Sequence, residues 1–335
     1  MNFKATLTNL IRRKNLTSDE AAEVVDAILA GELSEAQIGA FLAAMATKGE
    51  TIEELAGAAR AMRRRAIHVQ PVGQTVVDTC GTGGDNSGTF NISTTAAFVV
   101  AGAGVAVAKH GNRSVSSRCG SADVLETLGV KIEAEPEIME QALNEIGIAF
   151  LFAPRYHGAM RHAMPVRKQL GVRTIFNQLG PLANPAGATS QLLGVYAPEL
   201  TEMFAHALRL LGTRRAFVVH GHDGMDEITI CAPTRVSELQ NGTVKTYDLS
   251  SEKYFGECAV AADVVGGDAV ANAAILRSVL AGEKGPRRNL VLINAAAALV
   301  AANRAPDIAA GLELAAKSID SGAATAKLDA LCKVG

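Results

Sequence analysis

The chain has 335 residues, 32 Lys and Arg against 34 Asp and Glu, and a net charge of −2. That balance gives no electrostatic case for nucleic acid or an anionic membrane, and the length is enough for about two domains with a sizeable core. Five scattered cysteines (Cys80, Cys119, Cys231, Cys258, Cys332) show neither CxxC nor Cys/His metal spacing, so reduced thiols and a cytoplasmic setting are expected.

In chain order, the first 65 residues read as helices. Three capping boxes occur in series, Thr17 with Glu20, Ser34 with Gln37 and Thr51 with Glu54. Gly31 and Gly49 stand where the first two helices should stop. Ile38, Phe41, Leu42 and Met45 make one apolar face, which could pack on its own chain or on a second copy. Arg63, Arg64 and Arg65 are expected to decorate a helix C-terminus. The basic Arg12-Arg13-Lys14 lacks the apolar core of a signal peptide, and the runs at 96–108 and 295–302 are too short to span a membrane.

After Pro71, strands alternate with helices: strand 75–78, helix 92–102, strand 105–108, helix 121–128, then strands 149–152 and 216–220. Such alternation implies right-handed crossovers and a parallel sheet, with the loops that leave the strands gathered along one edge. Asn241-Gly242 marks a hairpin turn, and residues 289–300 resemble a helix in an alanine-rich tail.

Two of those loops carry most of the chemistry. The first, Asp78-Thr79-Cys80-Gly81-Thr82-Gly83-Gly84-Asp85, frees backbone N–H groups for a ligand. It is not a dinucleotide fingerprint, because Asn86 takes the third glycine's place. Nor is it a P-loop, because Thr89-Phe90 follows Gly88. Asn91-Ile92-Ser93-Thr94 opens the next helix, where an anion is favoured, although plain N-capping explains the hydroxyls as well. The second loop, 109–121, holds Lys109, His110, Asn112, Arg113, Ser114, Ser116, Ser117 and Arg118, a dense set of phosphate-compatible donors. Together they describe a pocket for a multiply charged phosphate ester. Asp226-Glu227, in a third loop without sequence-near cations, suggests Mg²⁺ held partly through substrate oxygens, with an exposed acidic turn as the plain alternative. Beyond Phe152, Arg155, His157, Arg161, Arg167 and Arg173 form a basic stretch suited to a carboxylate, and the residues alone do not choose among them.

The strings DTCGTGGD, NIST, KHGNRSVSSRCGSADVLETLG, MPVRKQLGVRTIFNQLGPLANP and HGHDGMDEIT resemble the anthranilate phosphoribosyltransferases over nearly the whole length. The resemblance implies transfer of the phosphoribosyl group of 5-phosphoribosyl 1-diphosphate to the amino group of anthranilate, in tryptophan biosynthesis. It implies contacts to that diphosphate from Gly81, Gly84, Asp85, Thr89, Asn91, Ile92, Ser93 and Thr94. The second loop would add Lys109, His110, Gly111, Asn112, Arg113, Ser114, Val115, Ser116, Ser117 and Ser121. It assigns Gly81, Asn112 and Arg167 to anthranilate, Ser93, Asp226 and Glu227 to magnesium, and catalytic roles to Lys109 and Arg167.

The implied fold is α/β, of the nucleoside phosphorylase/phosphoribosyltransferase kind. A small all-helical domain (1–70, with 164–178 joining it) stands beside a larger domain with a mainly parallel central sheet (71–163 and 179–335), and a homodimer forms through the helices. Two rivals are a pyrimidine nucleoside phosphorylase and a non-catalytic nucleic-acid-binding relative. The second is disfavoured by the near-neutral charge and the intact acidic pair.

Overall fold

A computed structural model describes residues 1–73, 75–114 and 118–335. Four helices open the chain: α1 (Phe3–Ile11), α2 (Ser18–Ala30), α3 (Glu35–Lys48) and α4 (Ile52–Arg64). All three capping boxes form as their sequence spacing predicts, and Gly31 ends α2 in the left-handed region at φ 76°. Gly57 stands inside α4 because a Cβ there would run into the carbonyl oxygen of Ser18, so α2 and α4 pack with their backbones close.

The bundle turns on one buried carboxylate. Glu54 is fully buried and accepts hydrogen bonds from Leu16 N–H (2.7 Å), Thr51 N–H (2.8 Å) and Lys48 Nζ (2.8 Å), which ties α3, α4 and the α1–α2 connection together. The triple arginine does more than decorate a helix end. Arg64 and Arg65 pair with Asp26, while Arg63 is half-buried and reaches the carbonyls of Leu182 (2.7 Å) and Leu211 (3.3 Å).

The larger unit is built on seven strands: β1 (Val76–Gly81), β2 (Ala106–Gly111), β3 (Ile148–Phe152), β4 (Ser190–Gly194), β5 (Arg215–Gly221), β6 (Thr234–Gln240) and β7 (Thr243–Leu249). Their order is β3-β2-β1-β4-β5-β6-β7, with β1 to β5 parallel and the last two pairings antiparallel. The parallel strands are buried on both faces because helices cover both. The β6–β7 hairpin turns at Asn241 (φ 51°) and Gly242 (φ 76°), both in the left-handed conformation that such a two-residue turn requires.

Between the strands lie α5 (Ile92–Gly102), α6 (Ser121–Thr127), α7 (Pro136–Glu145), α8 (Ala153–Tyr156), α9 (Met164–Leu170), α10 (Ile175–Leu179) and α11 (Leu200–Leu210). The tail adds α12 (Glu252–Phe255), α13 (Ala269–Leu280), α14 (Pro286–Ala301), α15 (Ile308–Asp320) and α16 (Ala323–Leu331). One core lies under α5 and α14, on the sheet face that carries Leu192, Phe217 and Val219. The opposite face, with Cys80, Leu193 and Val218, shares its core with α2, α3, α4 and α11 and with Val166, Ile175 and Phe176 of α9 and α10. The small helical bundle and the larger mainly parallel α/β unit are as the sequence led one to expect. Strand β4, central to the sheet, was not among the predicted strands.

Removing the Glu54 carboxylate should leave the Lys48 ammonium without its counter-charge, its side chain buried and held by Asn15 Oδ1 (3.2 Å) and the Gly49 carbonyl (2.5 Å). Glu54→Ala is expected to cost about 3–5 kcal/mol, read as a lower urea midpoint with an unchanged slope. A loss below about 1 kcal/mol would mean that the pair behaves like a surface ion pair.

Candidate active site

The strand order reverses between β1 and β4, where parallel α/β sheets open a crevice at their carboxyl ends. A cleft of about 800 Å³ lies there, floored by the exits of β1, β2 and β5 and faced by α9 and α10.

The glycine loop and the acidic loop interlock. A Cβ at Gly81 would stand 2.6 Å from Asp226 Oδ2, and one at Gly194 would collide with the Asp226 carbonyl. The missing side chains admit Asp226, whose Oδ2 accepts from Gly83 N–H (2.9 Å). Asp226 N–H donates back to Asp85 Oδ2 (3.3 Å), and Glu227 Oε1 accepts from Ser93 N–H (3.1 Å) at the start of α5. The acidic pair is therefore no exposed turn: Glu227 is buried and Asp226 half-buried. Burial, and then the neighbouring acids, push both carboxyls well above the ordinary carboxylate range.

The cation absent from that stretch of sequence arrives through space. Lys109, buried at the end of β2, donates from Nζ to the Thr79 carbonyl and to Ser93 Oγ (3.3 Å). Burial pulls its pKa down, opposed by Asp78, Glu227 and Asp226. Asp78 is fully buried, accepts from His110 N–H (3.2 Å) and Asn184 Nδ2 (2.8 Å), and is pushed up to about 6 by burial.

His110 Nδ1 donates to the Gly180 carbonyl (3.1 Å), which leaves Nε2 as an unpartnered acceptor among the described residues. Its ring stands 5.0 Å from that of His157, whose Nε2 is also unpartnered. Burial holds His110 down to about 4 and His157 to about 3.

In the second loop, the Asn112 carbonyl accepts from Ala122 N–H (3.1 Å) and Ser121 Oγ (3.2 Å). Asp123 takes Ser114 N–H (3.0 Å) and Gly120 N–H (2.8 Å). Arg113 turns its guanidinium to Glu126 (2.7 Å) and Asp123 (3.2 Å). Asn91 bridges from Asn272 (2.9 Å) to the Cys119 carbonyl (3.2 Å), which fastens this loop to α13.

Gly81, Gly84, Asn91, Ser93, Thr94, Lys109, His110, Gly111, Asn112, Arg113, Ser114, Ser121, Arg167, Asp226 and Glu227 thus line one cleft. Val115, Ser116 and Ser117 lie outside the described residues. Three of the expected residues stand back from the cleft wall. Ile92 is packed into the core, Asp85 faces Asp226 N–H, and Thr89 sits in a bridge to Val265.

Of the basic stretch, Arg155 pairs with Glu135 and Arg161 is exposed, while Arg167 and Arg173 reach the cleft. Arg167 has no carboxylate partner among the described residues. Its guanidinium lies 5.6 Å from the Phe176 ring, and burial lowers its pKa.

Family models cover both units. One described as "Glycosyl transferase family, helical bundle domain" matches residues 4–66, and "Glycosyl transferase family, a/b domain" matches 73–325. An anthranilate phosphoribosyltransferase of Desulfosudis oleivorans is 64% identical over 98% of this chain and 97% of its own. That of Syntrophobacter fumaroxidans is 62% identical over the same shares. The chain belongs to the anthranilate phosphoribosyltransferase family.

Among solved anthranilate phosphoribosyltransferases, the Thermus thermophilus enzyme superposes with a TM-score of 0.92 at 44% identity, covering 97% of this chain and 98% of that one. The Saccharomyces cerevisiae enzyme in complex with PRPP and Mg gives 0.88 at 29%, covering 98% and 97%. Sequence reading missed Lys168, Phe176 and Pro181, which also line the cleft, and gave no separate role to Arg173. The signal for Arg173 was present in the basic stretch, but charge alone does not tell a cleft arginine from a surface one.

Each buried histidine contributes a loss of stability on the acid side. His157 is held near 3 against an ordinary value of 6.5, so it stabilises the fold above pH 6.5 and that contribution is lost as pH falls towards 3. Asp78, Asp226 and Glu227, raised to about 6, 7 and 8, act in the opposite sense and together outweigh the two histidines between pH 4.5 and 6. His157→Leu should lower the slope of stability against pH between 4 and 6 by one proton relative to wild type, about 1.4 kcal/mol per pH unit, in urea titrations. Equal slopes in the two proteins would mean that His157 is not buried neutral.

Proposed function

We propose that the chain transfers the phosphoribosyl group of 5-phosphoribosyl 1-diphosphate to the amino group of anthranilate, releasing diphosphate, as a step of tryptophan biosynthesis. The observation that carries this is the convergence on one cleft of the glycine loop, Lys109 and the acidic pair, with the unpaired Arg167 lining the same space.

The residues fit a magnesium ion. Asp226 and Glu227 are raised because buried acids crowd one another, and a divalent cation would relieve that crowding. Ser93 Oγ stands beside them, held by Lys109. Among the described residues no group of three His, Cys, Asp or Glu is placed to hold a metal alone. The remaining ligands would be substrate oxygens and water, as Mg²⁺ prefers. When bound, the ion supplies neutralisation of diphosphate charge.

In the reaction the amine nitrogen forms a bond to the anomeric carbon while the bond from that carbon to the diphosphate oxygen breaks. The alkylated amine then loses its proton to solvent. Negative charge grows on the leaving group, and Gly84 N–H, the N-terminus of α5 and Lys109, which line the cleft, would stabilise it, while Gly83 N–H stays on Asp226. Arg167 orients the anthranilate carboxylate through a guanidinium fork, with Gly81 and Asn112 beside the acceptor. Thr94, Asn91, His110 to Ser117 and Ser121 hold the rest of the phosphoribosyl diphosphate, with Asp85, Thr89 and Ile92 shaping the loop from behind.

The helical unit, residues 1–70 with 164–178, carries the acceptor side, and residues 71–163 and 179–335 carry the diphosphate. We place the protein in the cytoplasm as a homodimer through its helices. The 69% exposed Ile11 on α1 supports an interface there, and among the described residues no helix is long and apolar enough to cross a membrane. The nucleoside phosphorylase and nucleic-acid-binding readings are not favoured by relatives that match over the full length.

Incubation with anthranilate, phosphoribosyl diphosphate and Mg²⁺ should consume anthranilate fluorescence, and chelation should stop it. Arg167→Ala should raise KM for anthranilate about tenfold or more, the worth of one charged hydrogen-bonded contact. Lys109→Met should lower kcat by about 10²–10³, as for loss of one preorganised donor. Folded protein without Mg²⁺-dependent turnover would sink the assignment.

A further inference from the structure

The glycine loop is a poor candidate for a rigid cradle on its own. Between Thr82 and Gly88 the backbone adopts positive φ at Gly83, Gly84, Asn86 and Gly88, so the loop has wide conformational freedom to lose. Its base is tied to β4: Thr82 N–H donates to the Gly194 carbonyl (2.9 Å), and Tyr196 N–H donates to Thr82 Oγ1 (3.1 Å). Further along, Asp226 holds it at Gly83 N–H (2.9 Å) and Asp85 Oδ2 (3.3 Å), and its described tie to the α9–α10 side of the cleft is a single contact. Arg173 Nη2 donates to the Gly84 carbonyl (2.6 Å).

Arg173 belongs to the four-residue connection between α9 and α10, which Gly171 begins in the left-handed conformation at φ 62°. Its guanidinium carbon stands 3.9 Å over the ring of Tyr196. That stack fixes the plane of the fork without using its donors. A Cβ at Gly84 would fall on the same guanidinium, so the glycine and the arginine are matched.

We infer that Arg173 is a positioning residue for the diphosphate site: stacked on Tyr196, it anchors the Gly84 carbonyl and thereby sets the orientation of the glycine loop before substrate arrives. A trans peptide holds its C=O and the following N–H in opposite directions. Pinning the Gly84 oxygen towards Arg173 therefore fixes which way Asp85 N–H points. It also couples the α9 side, which carries Arg167, to the loop that would hold the diphosphate. Preorganisation of this kind appears in substrate affinity, because the unanchored loop must be ordered at the moment of binding.

This role rests on the transferase reading above, and the test separates the two. Amide hydrogen exchange across residues 82–88 is measured on substrate-free wild type, Arg173→Met, Arg173→Lys, Tyr196→Phe and Tyr196→Leu, together with steady-state kinetics. Arg173→Met should speed exchange about tenfold and raise KM for phosphoribosyl diphosphate about tenfold, equivalent to losing one such contact, with kcat and KM for anthranilate within about twofold of wild type. Arg173→Lys should fall between, Tyr196→Phe should match wild type because the ring is kept, and Tyr196→Leu should move with Arg173→Met. A raised KM with unchanged exchange would mean that Arg173 meets the substrate directly, and the positioning role would be overturned. Unchanged exchange and kinetics would overturn it as well. Inactive wild type would remove the transferase reading, while the exchange comparison would still decide whether Arg173 holds the loop.

Discussion

One buried cation among buried carboxyls sets the electrostatics of this protein's cleft. Among the described residues Lys109 Nζ has no acid in hydrogen-bond contact; it rests on a carbonyl and a hydroxyl, with Asp78 to one side and the Asp226–Glu227 pair to the other. In a low-dielectric site such charges interact over longer distances than at a surface, and each is costly to bury alone. The arrangement settles by shifting protons: Asp78, Asp226 and Glu227 rise and Lys109 falls. A floor built this way is poised for a ligand that brings both phosphate anions and a divalent cation, since the two together satisfy Lys109 and the acids at once.

The sheet topology makes that floor possible. Lys109 and Asp78 lie within adjacent parallel strands, β2 and β1, and the acidic pair follows β5, two strands from β1 across β4. The pair reaches the glycine loop only because Gly81 and Gly194, at the facing ends of β1 and β4, leave no side chain in the way. The glycine at the end of β4 therefore serves the approach of the acidic loop rather than the bending of a turn.

Much of this was legible beforehand, for identifiable reasons. The capping boxes, α5 and the Asn241-Gly242 turn depend on residues within a few positions of one another, so local chemistry decides them. Strand β4 was missed because Ser-Gln-Leu-Leu-Gly carries neither β-branched enrichment nor alternation, and only its central place between β1 and β5 makes it a strand. Arg63 stands in the last turn of α4 as expected, but its reach into the larger unit was not foreseen, for a similar reason. Its partners are carbonyls more than a hundred residues away, which no charge pattern announces. The cleft loops were recognisable from donor density and family motifs. The pairing of Lys109 with the acidic loop, and the choice of Arg167 and Arg173 over Arg155 and Arg161, depend on how distant segments meet.

The distribution of strain follows from the same division. The cleft keeps groups that stability alone would not retain: two neutral histidines with unpartnered Nε2 atoms and acids crowded together. Local rules broken at a functional site are offset by consistency elsewhere. Here that consistency lies in the helical bundle, where caps agree with helix starts and Glu54 has a donor for each of its contacts. The bundle shares one continuous core with α9, α10 and a face of the sheet. Its rigidity is therefore transmitted by packing to the wall of the cleft opposite the charged floor, where Arg167 must hold its position without an ion pair among the described residues.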